Sequence, residues 1–264
     1  MGGWADGPTA RRAVVVIEFR GVHKRFGDKV VLDGVDLVIP EGQTTVVLGA
    51  SGSGKSVLLK HIVGLIEPDE GTVTVDGVVV HELDYAALRE LRTGIGFVFQ
   101  FAALFDSLTV EQNLRLALEH RRLDEAEIAE RVAEGLKLVE LEGVGDTYPA
   151  ELSGGMRKRV GIARALSLRP RYILYDEPTS GLDPVTTAVM DNLMRRAREV
   201  FGVTGVVVSH DMRSAFSVGD HLVMLHEGRV RQAAPVAEFR DTTDPVVRQF
   251  IEGRPHAGSP GGRP

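Results

Sequence analysis

The sequence predicts an α/β fold with a parallel β-sheet as its core, an N-terminal antiparallel β layer and an inserted helical subdomain. Three observations predict it. Short apolar runs lead directly into polar motifs, as is typical of buried parallel strands whose carboxyl ends carry functional loops. Segments near the start of the chain have the composition of antiparallel strands joined by tight turns. Between residues 101 and 168 the strand pattern gives way to apolar residues at helical spacing.

Composition limits the classes of protein to which this chain can belong. Its 264 residues suffice for one large domain, or for a domain that carries an inserted subdomain. The net charge of −6 argues against nucleic acid as the main partner, because a phosphate backbone requires a basic surface. The absence of cysteine excludes disulfides and thiolate metal sites, and it fits a reducing cytosol. No apolar run reaches the roughly 20 residues that span a bilayer, so any membrane role requires a partner.

The first elements form the predicted antiparallel layer. Strands are predicted at residues 14–19 and 35–39. A hairpin is predicted with strands at residues 72–75 and 78–80, because the Asp76-Gly77 dipeptide between them favours a tight turn.

The buried strands of the predicted core each lead into a polar motif. Residues 44–48 form a short apolar run that enters a glycine-rich loop, and residues 55–64 follow it as a helix. Functional loops lie at the carboxyl ends of parallel strands, so we expect the motifs that follow these strands to meet at one edge of the sheet. The other buried strands are predicted at residues 95–99, 172–175 and 203–208.

Helices dominate the middle of the chain. Helical spacing predicts helices at residues 110–119, 125–139 and 155–167, within an inserted helical subdomain of about residues 101–168. The folded domain is predicted to span residues 13–252, and the glycine- and proline-containing ends, 1–12 and 253–264, are predicted to be disordered tails. The last predicted elements are a helix at 211–218, strands at 221–225 and 229–232, and a helix at 244–252.

Residues 49–56 match the G-x-x-x-x-G-K-[ST] pattern of a phosphate-binding loop, and they lie between a predicted strand and a predicted helix. Glycines let backbone N–H groups surround the phosphates, and the helix N-terminus adds a partial positive charge. Lys55 is expected to bridge the β- and γ-phosphates of a nucleotide, and the Ser56 hydroxyl to ligate Mg²⁺. The expected nucleotide-binding residues here are Gly49, Ala50, Ser51, Gly52, Ser53, Gly54, Lys55, Ser56 and the following Val57.

Two carboxylates, Asp176 and Glu177, follow four apolar residues at the end of a predicted buried strand. An isolated Asp-Glu pair is more often a solvated acidic turn. Downstream of a phosphate loop, however, the first carboxylate is suited to hold Mg²⁺, and the second is suited to orient and deprotonate an attacking water as general base.

A second candidate anion site is formed by Ser153, Gly154 and Gly155, which precede a predicted helix. Bare N–H groups and a hydroxyl at a helix N-terminus attract anions, although such a sequence alone is more often an ordinary N-cap. Two anion sites on one chain can serve two phosphates, or opposite sides of one phosphate. His210 also follows a strand, and a lone histidine there is usually structural.

These motifs, in their order along the chain, resemble those of the ATPase subunit of an ATP-binding cassette (ABC) transporter, and the resemblance covers about residues 17–250. It implies a P-loop NTPase fold of ABC type, with ATP and Mg²⁺ as ligands and ATP hydrolysis as the reaction. The resemblance rests on residues 49–56, Gln100, the Leu-Ser-Gly-Gly-Met segment at 152–156, residues 172–177 and His210.

The resemblance also implies how the two anion sites are used. Two copies of the chain would face each other head to tail. The signature loop (Ser153, Gly154 and Gly155) of one copy would then meet the γ-phosphate held by Lys55 of the other. Every part is present in one chain, so a homodimer could form two equivalent sites. Met156 stands where the family usually has glutamine, which puts any contact of that amide in doubt.

Four further positions take their roles from the same resemblance. Gln100 would link the Mg²⁺ and water site to the helical subdomain, and His210 would contact the γ-phosphate as a catalytic residue. Asp183, in the 180–183 segment, would act across the dimer. Phe26 stands where an aromatic ring stacks on adenine, although tyrosine is more usual there.

Segments 54–60, 101–110, 148–159 and 244–250 look like those of the ATPase in Mla/Mce-type lipid transporters. That resemblance implies transport of lipid, most simply phospholipid, between membranes. The implied partners are a multi-pass permease, an MCE-domain protein and, in some systems, a STAS-domain regulator. The implied location is the cytoplasmic face of the inner membrane.

Other functions stay open at the level of sequence. The first is the ATPase of a small-molecule importer, for instance for amino acids, with the same chemistry. A non-transport ABC ATPase is disfavoured, because only about one hundred residues without a long heptad run separate the phosphate loop from the signature loop, and a single cassette is present. A nucleotide kinase would lack the signature loop.

Overall fold

The computed structural model describes residues 15–119 and 121–254. The predicted tail 1–12 lies outside the described residues, and so does the tail 253–264 apart from Gly253 and Arg254.

Within the described residues, ten strands form two sheets. They are β1 (Val15–Phe26), β2 (Lys29–Pro40), β3 (Thr44–Leu48), β4 (Glu70–Val75), β5 (Val78–Val79), β6 (Ile95–Val98), β7 (Tyr172–Asp176), β8 (Thr204–Ser209), β9 (His221–His226) and β10 (Arg229–Pro235).

The helices follow or connect these strands, and α3, α4 and α5 lie together between β6 and β7. Short 3₁₀ turns occur at Val80–Glu82 and Pro149–Glu151. The α-helices of the described chain are α1 (Lys55–Ile62), α2 (Tyr85–Thr93), α3 (Val110–Leu118), α4 (Glu125–Leu138), α5 (Gly154–Ser167), α6 (Pro184–Phe201), α7 (Met212–Val218), α8 (Val236–Arg240) and α9 (Pro245–Ile251).

The two sheets confirm the predicted fold class. The smaller sheet is antiparallel, in the order β2-β1-β4-β5. The larger has the order β10-β9-β3-β8-β7-β6, and all of its strands are parallel except β10, which pairs antiparallel with β9.

The register of the parallel strands brings the polar motifs to one edge. Leu48 pairs with Ser209, and Asp176 pairs with Val208. The residues that follow β3, β7 and β8 therefore start side by side, at the carboxyl ends of the strands, as expected for a sheet of this type.

The larger sheet is covered on both faces, which explains why its strands read as continuous apolar runs. All five residues of β3 are buried. Val46 and Leu48 belong to one apolar cluster, which includes residues of α3 to α7. Val47 belongs to the other cluster, which includes α1 and the antiparallel sheet.

Three helices of the structure have no counterpart in the sequence prediction: α2, α6 and α8. No residue of α2 is fully buried, but Leu88 and Leu91 lie one turn apart and pack partly buried against the core, so sequence reasoning overlooked a short apolar face. The start signals of α6 are present, because Asp183 caps the helix and Pro184 occupies its first position. Strands β1 and β2 are also longer than predicted, and Val80 belongs to a 3₁₀ turn instead of a strand.

Candidate functional site

A cavity of about 800 Å³ lies at the edge of the sheet where β3, β7 and β8 end. Phosphate-loop residues form its floor, and Gln100, Glu177 and His210 approach from the neighbouring strands. The residues that line it are Phe26, Lys29, Val31, Ala50, Ser51, Gly52, Gly54, Lys55, Ser56, Val57, Gln100, Glu177, Ser180, His210 and Phe250.

Two glycines of the phosphate loop have no room for a side chain. A Cβ at Gly54 would lie 2.8 Å from Leu32 Cδ2 and 2.9 Å from the backbone oxygen of Val31, and its φ of +104° is accessible only to glycine at low cost. A Cβ at Gly49 would lie 2.5 Å from the backbone oxygen of Leu225. The tight turn therefore depends on glycine at both positions.

The loop also leaves polar groups available for an anion. Lys55 is only 6% exposed, and its Nζ donates to the backbone oxygens of Gly49 at 2.8 Å and Ala50 at 3.1 Å. Ser53 Oγ is buried and has no hydrogen-bond partner. A buried hydroxyl without a partner is costly, so a ligand that hydrogen-bonds to it fits the loop.

Of the three residues predicted to hold Mg²⁺, Ser56 and Asp176 meet directly, and Gln100 lines the cavity. Ser56 Oγ donates to Asp176 Oδ1 at 2.7 Å, which joins α1 to the end of β7. In residues 15–119 and 121–254 no group of three or more His, Asp or Glu residues could hold a metal by itself. A hydroxyl and a carboxylate fit Mg²⁺, which characteristically binds through few protein oxygens and completes its shell with water and phosphate.

Glu177 stands between two positively charged or protonatable groups. Its Oε1 lies 3.4 Å from Lys55 Nζ, and its Oε2 lies 2.8 Å from His210 Nδ1. The Glu177 backbone has φ of +47°, a conformation that is uncommon without glycine and marks a held, strained turn. Its N–H donates to the backbone oxygen of Val208 at 3.0 Å, so the neighbouring strand fixes the turn.

The structure brings Phe26 and Gln100 into the same cavity, as the sequence predicts. Phe26 ends β1, is half exposed, and has Lys24 Nζ at 5.7 Å from its ring centre. Sequence reasoning missed Lys29, Val31 and Phe250, which line the cavity from distant parts of the chain. No local motif marks them.

The signature loop lies outside this lining. Ser153 caps α5, where its Oγ accepts from the Met156 N–H at 3.2 Å, and a Cβ at Gly155 would lie 2.7 Å from Thr186 Cγ2. Asp183 is likewise occupied as the cap of α6, and hydrogen bonds from Thr186 lower its pKa. Within one chain, therefore, Ser153, Gly154, Gly155 and Asp183 do not join the cavity around Lys55.

Comparison with known proteins decides the family. The family described as ABC transporter matches residues 32–180. The chain belongs to the ABC transporter family. As a member, this ABC ATPase is an ATP-hydrolysing subunit that uses ATP and Mg²⁺.

Two curated relatives cover most of this ABC ATPase. It is 42% identical over 241 residues to a probable ribonucleotide transport ATP-binding protein, mkl, of Mycobacterium leprae. The aligned region covers 91% of this chain and 70% of that protein. It is 39% identical over 236 residues to the sulfate/thiosulfate import ATP-binding protein CysA of Synechocystis. That aligned region covers 89% of this chain and 65% of CysA. The ABC ATPase thus spans about two thirds of the length of these relatives.

A solved structure supports the same fold. The ATP-binding cassette MJ0796, in a dimeric post-hydrolysis state bound to ADP and Pi, is 36% identical with a TM-score of 0.76, over 83% of this chain and 98% of that one. Among the described residues of the ABC ATPase, no helix is both long and apolar enough to cross a membrane.

Proposed function

We propose that this ABC ATPase energises the transport of lipid, most simply phospholipid, between membranes. It would do so at the cytoplasmic face of the inner membrane, bound to a multi-pass permease that works with an MCE-domain protein and, in some systems, a STAS-domain regulator. The observation that carries this proposal is the resemblance of segments 54–60, 101–110, 148–159 and 244–250 to lipid-transport ATPases, including the methionine at position 156.

The catalytic unit in this proposal is a head-to-tail homodimer. Within one chain the signature loop does not line the cavity around Lys55, which supports an arrangement in which it meets a phosphate held by Lys55 of another copy. The similar cassette MJ0796 is dimeric in its post-hydrolysis state. Asp183, which caps the start of α6, would contact the partner copy.

Substrate binding is assigned to the phosphate loop and its neighbours. The loop N–H groups, the Ser53 hydroxyl and the Lys55 ammonium would bind the phosphates, and the Phe26 ring would stack on the adenine. Ser56, Asp176 and Gln100 would hold Mg²⁺, which when bound neutralises negative charge on the phosphates.

Hydrolysis is assigned to Glu177 and His210. Glu177 would orient the attacking water and accept its proton at the carboxylate that now lies 3.4 Å from Lys55 Nζ. His210 holds the other oxygen of that carboxylate at 2.8 Å and is exposed enough to turn towards the γ-phosphate. The Lys55 side chain would stabilise the negative charge that grows on the phosphate during hydrolysis.

The surface next to Gln100 is assigned to the permease. Phe101 is 85% exposed and Phe105 is 54% exposed, an arrangement typical of a contact surface. The loop between them is held firmly, because Arg164 of α5 donates to the backbone oxygens of Ala102 and Ala103. We propose that residues 101–168 move as a helical subdomain, within a folded domain of residues 13–252, and carry this surface with them.

A second candidate function is supported by the relatives. The protein CysA, at 39% identity, is a sulfate/thiosulfate import ATP-binding protein, so the same site could energise a small-molecule importer. The residues that line the cavity do not distinguish the two functions, because ATP is the substrate of this site in both.

Purification from native membranes separates these functions. The chain would be isolated in mild detergent with a C-terminal tag, and its associated proteins and lipids identified by mass spectrometry. The Glu177→Gln variant in the presence of ATP would stabilise the assembled complex, and the Lys55→Ala variant would serve as the control that binds nucleotide poorly.

A permease together with an MCE-domain protein and bound phospholipid would support the lipid function. A permease with a solute-binding protein would replace it with the small-molecule function and leave the ATPase chemistry in place. Recovery without any membrane protein would contradict both transport functions.

A further inference from the structure

Helix α5 begins at the signature loop and passes beside the turn that carries Glu177. Near its start, Lys158 extends its ammonium group to that turn. Lys158 Nζ donates to the backbone oxygen of Ser180 at 2.6 Å and to that of Glu177 at a longer 3.5 Å. One side chain therefore connects the signature helix to both ends of the base turn (residues 177–180).

The base turn requires such support. Its first residue, Glu177, has φ of +47°, and a strained conformation of this kind persists only where surrounding contacts enforce it. The Ser180 N–H donates to the Glu177 oxygen at 3.2 Å and closes the turn from within. Lys158 of the neighbouring helix α5 donates to the backbone oxygens at both ends of this turn, those of Glu177 and Ser180.

The environment of Lys158 acts on its charge in two opposite ways. Burial lowers the pKa of its ammonium group, and the nearby Glu177 carboxylate opposes that shift. A charged donor makes stronger hydrogen bonds to carbonyl oxygens than a neutral one. Replacing it would leave carbonyl oxygens in a partly buried place without that donor.

A second contact ties the same two parts of the chain together. Gly155, in the signature loop, packs so closely on α6 that a Cβ would lie 2.7 Å from Thr186 Cγ2. The segment that runs from the base turn to α6 is thus in contact with the signature helix at two places, Lys158 and Gly155. A displacement of the start of α5 must act on the base turn.

We propose that Lys158 is a positioning residue for ATP hydrolysis. It holds the base turn against the signature helix, so that Glu177 takes its catalytic position only when the signature loop is also in position. This inference rests on the proposed function, in which Glu177 is the base. In the proposed dimer the signature loop serves the partner's nucleotide. Through Lys158, the position of Glu177 in one ATP site then depends on whether the signature loop of the same chain has bound the nucleotide in the other site.

The test compares Lys158→Met with Lys137→Met, which removes the same charge from an exposed position of α4. In Lys158→Met, kcat for ATP hydrolysis falls about ten- to a hundredfold, the effect expected when a charged hydrogen-bond donor is lost. KM for ATP stays unchanged, because the phosphate loop is not altered, and kcat is measured well below the Tm of every variant. Lys158→Arg, which keeps a charged donor, restores most of kcat.

Hydrogen exchange supplies a readout that kinetics alone does not. The Ser180 amide, which closes the base turn, exchanges faster in Lys158→Met than in the wild-type chain, and Lys137→Met leaves it unchanged. An unchanged kcat, or a slow Ser180 amide in Lys158→Met, would overturn the proposal.

A double-mutant cycle separates this inference from the function on which it rests. Because Lys158 acts through Glu177, adding Lys158→Met to Glu177→Gln changes the residual single-turnover rate less than twofold, as expected for residues that act as a unit. The same loss in both backgrounds would show that Lys158 does not act through the base. Full ATP turnover in the single variant Glu177→Gln would instead overturn the role of Glu177 as the base. That measurement involves no change at Lys158.

Discussion

The contact between the signature loop and α6 can be tested by placing a methyl group in it. In Gly155→Ala the new Cβ would lie 2.7 Å from Thr186 Cγ2, a distance that forces one of them to move. Thr186 is not free to rotate, because its Oγ1 donates to Asp183 Oδ2 at 2.5 Å in the cap of α6. Overpacking of this kind costs about 1–3 kcal/mol, which equals or exceeds the gain of about 1 kcal/mol from replacing a helical glycine with alanine.

Gly154→Ala is the matched control. No atom lies within 4 Å of a Cβ at that position, so the alanine brings the helical gain without the clash. Thr186→Ser supplies the rescue, because serine keeps the hydroxyl that bonds Asp183 and lacks the obstructing Cγ2. We expect Gly155→Ala to unfold at a lower temperature than Gly154→Ala, by about 2–4 °C for each kcal/mol, and Thr186→Ser to remove most of that difference.

The assay is thermal unfolding of the nucleotide-free chain, followed by circular dichroism at low concentration. Without nucleotide, it reports the contact inside one chain and not the dimer. Equal Tm values for the two alanine variants, or no rescue by Thr186→Ser, would refute the packing. ATP hydrolysis should fall in both variants, because both glycines belong to the signature loop, which is proposed to approach the partner's phosphate.

Three further predictions concern the nucleotide site and the core. Lys55→Ala should weaken ATP binding by about 1.5–3 kcal/mol, measured by calorimetry, because a buried charged donor is lost; an unchanged Kd would contradict its role. Glu177→Gln should bind ATP, lose hydrolysis and accumulate as a dimer in gel filtration with ATP; retained turnover would count against the base. Burial raises the pKa of Asp191, so the folded chain binds its proton more tightly and the free energy of unfolding falls as pH rises from the ordinary Asp pKa to the raised one. Denaturant unfolding at several pH values should show that Asp191→Asn flattens this fall, whereas an equal slope would place its cause elsewhere.

The fold and the edge that carries the site were predictable because each motif directly follows a buried strand. Once the strands are parallel, their pairing decides which motifs meet. Leu48 pairs with Ser209 and Asp176 with Val208, so the phosphate loop, Glu177 and His210 become neighbours. Local sequence was sufficient to predict the strands and the motifs, whereas the order of the strands is seen only in the structure.

Other features depend on tertiary contacts that no local pattern encodes. Phe250 lies in α9, far along the chain from Lys55, yet both line one cavity. Lys158 looks like one more solvated cation of α5 until its two carbonyl partners are seen. Helix α6 has the signals of Asp183 and Pro184 at its start, and α2 has the Asp84 cap and the apolar pair Leu88 and Leu91, so both helices could have been predicted from local sequence.

The composite site is tested most directly by mixing two inactive variants. Lys55→Ala cannot hold the phosphates, and Ser153→Asp keeps a good helix cap while placing a negative charge where the partner's phosphate would lie. If each site combines Lys55 of one copy with Ser153 of the other, a mixed dimer contains one intact site. An equal mixture should then recover up to about a quarter of the wild-type ATPase rate, since half of the dimers are mixed and each has one working site of two. A mixture as inactive as either variant alone would contradict the head-to-tail arrangement.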